Sequence, residues 1–212
     1  MPRPLTAHDP LDHVEDELNF TLSALNSDPH GSAFAPLTET WLPRLETVRK
    51  ADRVVRRRVV TTDARRIIAN ENLDDACEAF GAALFEAVGE DDRAERWTRL
   101  FKVPVHTFVR QAFRTQVAMV QAWLDSDEEE PVLEEHRPLL EHWVKAATVS
   151  LEDARALAVQ RAENTMRREH LTEDLNRERD ALYSALVQYA RDHELPATWP
   201  EAFFRKSAHV WI

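Results

Sequence analysis

LLEHWVKAATVSLEDARALAVQRAENTMRREHLTEDLNRERDALYSALVQYARDHEL, residues Leu139–Leu195, contains neither glycine nor proline. Those two residues are the strongest punctuators of local structure. The run is also rich in Ala, Leu, Glu and Arg, the better helix formers. It is expected to form one helix, about 85 Å long at roughly 1.5 Å per residue. A second run, Arg44–Phe80, is free of both breakers too. Glycine occurs only at Gly31, Gly81 and Gly89, too rarely for the sheets and tight loops of an α/β enzyme. The expected fold is therefore all-α, an elongated antiparallel helical bundle with long helices.

Apolar spacing places the elements. A short first helix starts at Asp9-Pro10, with Asp as cap and Pro at the first helical position. Leu11, Val14, Leu18, Leu22 and Leu25 form its stripe. Residues 26–35 read as a loop. The second helix begins between Thr38 and Pro43 and ends at Gly89. Its stripe is Trp41, Leu45, Val48, Val55, Val59, Leu73, Cys77, Phe80 and Leu84. A third helical region covers Asp92 to Leu124, kinked or restarted at Pro104, because proline cannot make the interior hydrogen bond. Residues 125–130, DSDEEE, form an acidic loop. The fourth helix starts at Pro131 or Pro138 and runs to about His193, with Leu140, Trp143, Ala147, Ala154, Leu175, Leu182 and Tyr189 inward. The chain thus divides into a first helical half (1–90), a second (91–195) and an aromatic tail (196–212), within one continuous bundle.

The halves resemble each other. Pro36, Pro43, Leu45, Glu46, Lys50 and Ala51 recur 95 positions later as Pro131, Pro138, Leu140, Glu141, Lys145 and Ala146. Glu71, Leu73, Ala83, Leu84 and Ala87 recur 98 positions later, and Leu25, Ser27 and Asp28 recur 99 positions later. Two explanations stay open: an internal duplication of a long helical hairpin, or two amphipathic helices that share composition because they share a job. Both long helices also lose their apolar stripe midway, where inward positions become Thr62, Arg66 and Asn70, then Arg161, Thr165 and Arg168. A buried unpaired charge is very costly. The zone must be solvated, internally paired, or broken near Asn70–Asn72 and Arg168–Leu171. Such breaks would turn the long helices into six shorter ones.

Composition narrows the function. Hydrophobic residues are 43% and charged residues 31% of the 212, enough for a real but thin core. The net charge of −11 disfavours nucleic acid as a partner, since that binding rests on neutralising phosphates. No apolar run approaches the ~20 residues of a membrane span. The opening Met1-Pro2-Arg3-Pro4 lacks a signal peptide's apolar stretch, and with Cys77 as the only cysteine the cytosol is the simplest compartment, so the expected location is cytoplasmic. Arginine outnumbers lysine 23 to 4, as a GC-rich bacterial genome would produce.

Chemistry-bearing patterns are few. None of the nine histidines has Glu three residues before it, the spacing that metal sites in helical proteins favour. His8, Asp9, His13 and Glu17 come nearest to a ligand cluster but read as a solvated helix start. Phosphate-binding loops need clustered glycines, and the three here are scattered. Cys77, the only cysteine, cannot form an intramolecular disulfide and reads as a buried structural thiol beside Phe80. No catalytic residue, metal or cofactor is expected.

Two surfaces remain. Arg44–Arg66 holds nine bases against Glu46, Asp52 and Asp63, making it +6 in a chain of −11. Arg49, Arg53, Arg56 and Arg57 share one helical face and are anion-binding candidates. Pairing with the protein's own acids is the favoured alternative. In the tail, Trp199, Phe203, Phe204, Trp211 and Ile212 are partner-interface candidates, unless they fold back onto the helices. The leading expectation is a non-catalytic helical protein-interaction or scaffold protein, with a protein partner or a homodimer, because long helices with thin cores complete their burial by association. The alternatives are an anion- or nucleic-acid-binding module using the basic face, and a helical enzyme or cofactor protein with its site in the polar midsection.

Overall fold

A computed structural model describes residues 1–205. Among them are six α-helices and no strand: α1 (Leu11–Ser27), α2 (Trp41–Ala87), α3 (Glu95–Leu100), α4 (Val105–Phe108), α5 (Phe113–Leu124) and α6 (Pro131–Asp192). Gly31–Thr38 and Trp199–Phe203 form 3-10 segments.

Neither long helix breaks in its polar middle. Short polar side chains there hydrogen-bond within their own helix, three of them back to the carbonyl four residues earlier, without breaking it. Asn72 donates to the Ile68 carbonyl at 2.7 Å, and Asn70 to the Asp74 carboxylate at 2.8 Å. Thr165 and Thr172 donate to the carbonyls of Arg161 and Arg168, each at 3.1 Å. The region from Asp92 to Leu124 breaks twice. Pro104 separates α3 from α4, and a second break, which has no glycine or proline to mark it, falls between Phe108 and Phe113.

The described residues pack as two compact units, 1–56 with 160–205, and Arg57–Val159. The boundary between them cuts through α2 and α6.

In the first unit, Val14, Leu18 and Leu25 of α1 meet Trp41 and Leu45 of α2 and Leu171, Leu175, Leu182 and Leu186 of α6. Phe203, Phe204 and Leu5 complete that core. The pairs Trp41–Glu178, Arg44–Asp174 and Asp52–Asn164 run in opposite order along α2 and α6, so these segments are antiparallel. Asn176 binds both the N–H and the carbonyl of Leu5 at 2.8 Å, and Arg179 donates to the Arg3 carbonyl at 2.8 Å. These bonds hold the N-terminal segment against α6.

In the second unit, Leu73, Cys77, Phe80 and Leu84 of α2 pack on Trp97, Phe101, Phe108, Trp123, Leu140 and Ala147. Glu130, buried just ahead of α6, accepts from Arg96 Nε at 2.9 Å and from Arg99 at 3.3 Å. The Arg96 hydrogen bond holds its carboxyl below the usual range.

Both long helices end in the same way. The Gly89 N–H reaches the Glu86 carbonyl and the Glu90 N–H reaches the Phe85 carbonyl, the paired bonds of a Schellman end. Gly89 has φ +70°, which costs glycine little. After α6, Leu195 N–H bonds Ala190 O, and Glu194 takes the left-handed place at φ +53°. A side chain there is strained. Glu194→Gly is expected to raise stability by up to about 1 kcal/mol, read as a higher urea midpoint at unchanged slope. A lower midpoint would show that the Glu194 side chain contributes more than its backbone strain costs.

Candidate interaction surface

Second-unit α2 carries a buried stripe and an apolar exposed one. Thr62, Ala69 and Ala76, seven apart, face the core. Val60, Ala64, Ile67 and Ile68, at i, i+4, i+7 and i+8, form another. Two residues of offset turn the stripes about 200° from each other, so the second points out to solvent. Val60 is 70% exposed, Ile67 53% and Ile68 54%. Second-unit α6 carries Val149, 48% exposed, and Val159, 60% exposed. Isolated exposed apolar residues are ordinary, but a contiguous set marks an interaction surface.

A groove of about 670 Å³ shares Ala64, Ile68 and Val149 with this set, and Val60, Ile67 and Val159 lie outside its lining. Ala64, Ile68 and Ala69 line it from α2, and Trp143, Ala146 and Val149 from α6. Its rim is charged with both signs. Arg65 Nη1 lies 3.4 Å from Asp153 Oδ2, and Lys145 stands nearby. A second groove of about 780 Å³, walled by Phe85, Trp97, Phe101, Val103, Pro104 and Val105, opens elsewhere in this unit, with Glu78, Asp92 and Lys102 on its lining.

The candidate arginines have separate fates. Arg49, only 13% exposed, binds Asp12 at 3.0 Å and Glu15 at 2.7 Å. Its hydrogen bond holds the Glu15 carboxyl below its ordinary value. Arg56 binds Asp52 at 2.7 Å. Arg53 and Arg57 are exposed, and neither has an ion pair among the described residues.

In the tail, Phe203 and Phe204 are core residues of the first unit, and Trp199 is half-buried with its indole donating to Asp28 at 3.1 Å. Trp211 and Ile212 lie outside the described residues.

The polar midsection differs from its expected layout. Arg66 and Arg161 are exposed rather than inward. Asp52 and Asn164 form a buried polar pair in the first unit, bonded at 3.0 Å. Cys77 is fully buried, and burial pushes its thiol up to about 12, so it stays protonated and unreactive at neutral pH. Asp74, raised by its own burial, accepts from Gln116 at 2.6 Å. Among the described residues no group of three or more His, Cys, Asp or Glu is placed to hold a metal ion, and no helix is long and apolar enough to cross a membrane. Glu17, from the histidine-rich helix start, turns inward to Arg179.

The outward stripe is present in the sequence as the spacing 60, 64, 67, 68. Val55 and Val59 mask it, because they extend the inward stripe into the same stretch. No family model, curated protein or solved structure matches the chain.

Proposed function

We propose that this chain is a non-catalytic helical protein-interaction or scaffold protein that works as a homodimer in the cytoplasm. The observation that carries this reading is the set of large apolar side chains, Val60, Ile67, Ile68, Val149 and Val159, exposed on the two long helices of the second unit. Such a surface costs solubility unless something covers it. Sedimentation velocity across the micromolar range tests it. The expected species is heavier than the 24.5 kDa chain and dissociates on dilution. A single chain's mass at every concentration would overturn the homodimer.

Internal duplication accounts for how such helices arose. The first unit combines α1, the start of α2 and the end of α6. The second combines α5, the start of α6 and the end of α2. Core positions correspond: Leu18, Thr21 and Leu25 with Val117, Val120 and Leu124; Leu45 with Leu140; Leu73, Cys77 and Leu84 with Leu171, Leu175 and Leu182, all buried. On this reading each unit is an antiparallel bundle made from both copies. Superposition of α1–α2 on α5–α6 in an experimental structure tests it, and bends at unrelated places would overturn it.

A second reading, anion binding, rests on exposed Arg53 and Arg57. Arg49 is committed to Asp12 and Glu15, which leaves little of the strip available. Polyphosphate is expected to bind weakly at physiological salt, and Arg53→Gln with Arg57→Gln to leave stability unchanged. Tight, salt-sensitive binding lost in that double variant would move anion binding ahead of self-association.

A further inference from the structure

We propose that the groove between α2 and α6 of the second unit is covered by the same face of a second copy, with α2 of each protomer lying along α6 of the other. This assigns a place to the self-association proposed above and rests on it. Four features of the face point to a second copy rather than to a different protein.

Both long helices supply apolar residues to the face, so it offers ridges and a recess together. Ile68 of α2 and Val149 of α6 stand exposed on the groove, while Ala64, Ala69 and Ala146 line it with small side chains. A two-fold contact uses each such feature twice. The charges are also arranged for it. Of the charged residues that line the groove, Arg65 belongs to α2 and Asp153 to α6, so laying α2 of one copy on α6 of the other sets Arg65 toward Asp153 twice over. Laying like helices together would set Arg65 against Arg65 and Asp153 against Asp153. The intrachain pair Arg65–Asp153 sits on the rim, 67% and 34% exposed. Each member can therefore face its opposite on the second copy without being dug out of a core. Finally, the covered face gains a second pair of helices, which completes a four-helix layer over the apolar residues.

The test is sedimentation velocity on the full chain and on three exposed-site variants. Ile68→Glu with Val149→Glu is expected to keep wild-type circular dichroism and to weaken association by roughly a hundredfold or more, because two carboxylates would be buried in an apolar contact. The register is tested by charge. Arg65→Glu alone and Asp153→Arg alone should each weaken association by about tenfold or more through like charges facing across the interface. Mixing those two variants should restore a heavier species. In that heterodimer the introduced glutamate faces the introduced arginine on one side and the native pair meets on the other, although the intrachain pair is broken in both chains. A monomeric wild type would overturn the homodimer and this face together. A wild-type dimer that survives Ile68→Glu with Val149→Glu would overturn this face and leave self-association standing. Dimerisation lost on removing residues 206–212 but kept in the charged variants would move the contact to the tail. A mixture no heavier than its parts would overturn the pairing of α2 with α6.

Discussion

Glu17→Ala is expected to cost roughly 3–5 kcal/mol of folding stability, a fall of about 6–20 °C in melting temperature for a chain of this size. Arg179 is 1% exposed and Glu17 4%. Their closest approach is Nη2 to Oε2 at 3.6 Å. Burial lowers the Arg179 pKa, as it must for a cation removed from water, with Glu17 opposing that shift. Arg179 Nη1 also donates to the Arg3 carbonyl, and the guanidinium lies 5.7 Å from the centre of the Phe204 ring. Nε and Nη2 of Arg179 are buried without a hydrogen bond. Removing Glu17 would leave that cation without the carboxylate nearest to it, with only the weaker field of Asp180 opposing its burial. Replacing both residues, Glu17→Leu with Arg179→Met, should recover most of the loss, since apolar replacement of a buried pair is often neutral. A single-variant cost under about 1 kcal/mol is the signature of a solvated pair and would sink this account.

How legible these features are depends on what decides them. The long helices announce themselves because their determinants are local: breaker-free runs, apolar spacing and Gly89 at a helix end. The core of each unit is visible for the same reason, with Trp41, Leu45, Leu73, Phe80, Leu140 and Leu175 inward as their spacing requires. Other features depend on distant parts of the chain. Glu17 sits three residues after Val14, on the inward stripe, but only Arg179, 162 positions later, makes that burial tolerable. The break before Phe113 has no local breaker; it accompanies the packing of Phe108 against Trp123, with ring centres 4.9 Å apart. The outward stripe of the second unit is hidden by ambiguity. A period of 3.6 residues locates stripes but does not say which one faces a core and which faces a partner. Where Val59 and Val60 adjoin, both choices fit. Arg66 reads as inward only along the stripe through Val59, and it is exposed.

The other large effect is expected at Phe101. Its ring centre lies 4.9 Å from Trp97 and Trp123, 5.5 Å from Phe108 and 5.7 Å from Phe80. These partners come from α2, α3, α4 and α5, so one side chain joins four helices. Phe101→Ala should cost roughly 3–5 kcal/mol through lost burial and the cavity left behind. Cys77, packed in the same core, supplies a built-in readout. In the folded protein it is fully buried, with its thiol pushed up to about 12, so a thiol reagent at neutral pH reaches it only when the second unit opens. Under conditions where reclosing outpaces labelling, the labelling rate follows the open population. It should rise by roughly two to three and a half orders of magnitude in Phe101→Ala. Glu17→Ala is the comparison, because its lesion lies in the first unit. Both units draw on α2 and α6, so Glu17→Ala should also speed labelling, but less than Phe101→Ala if the second unit retains its own aromatic core. Equal acceleration by the two variants at equal loss of stability would mean that Cys77 is exposed only when the whole chain unfolds. No acceleration in Phe101→Ala would mean that the ring cluster does not hold the second unit closed.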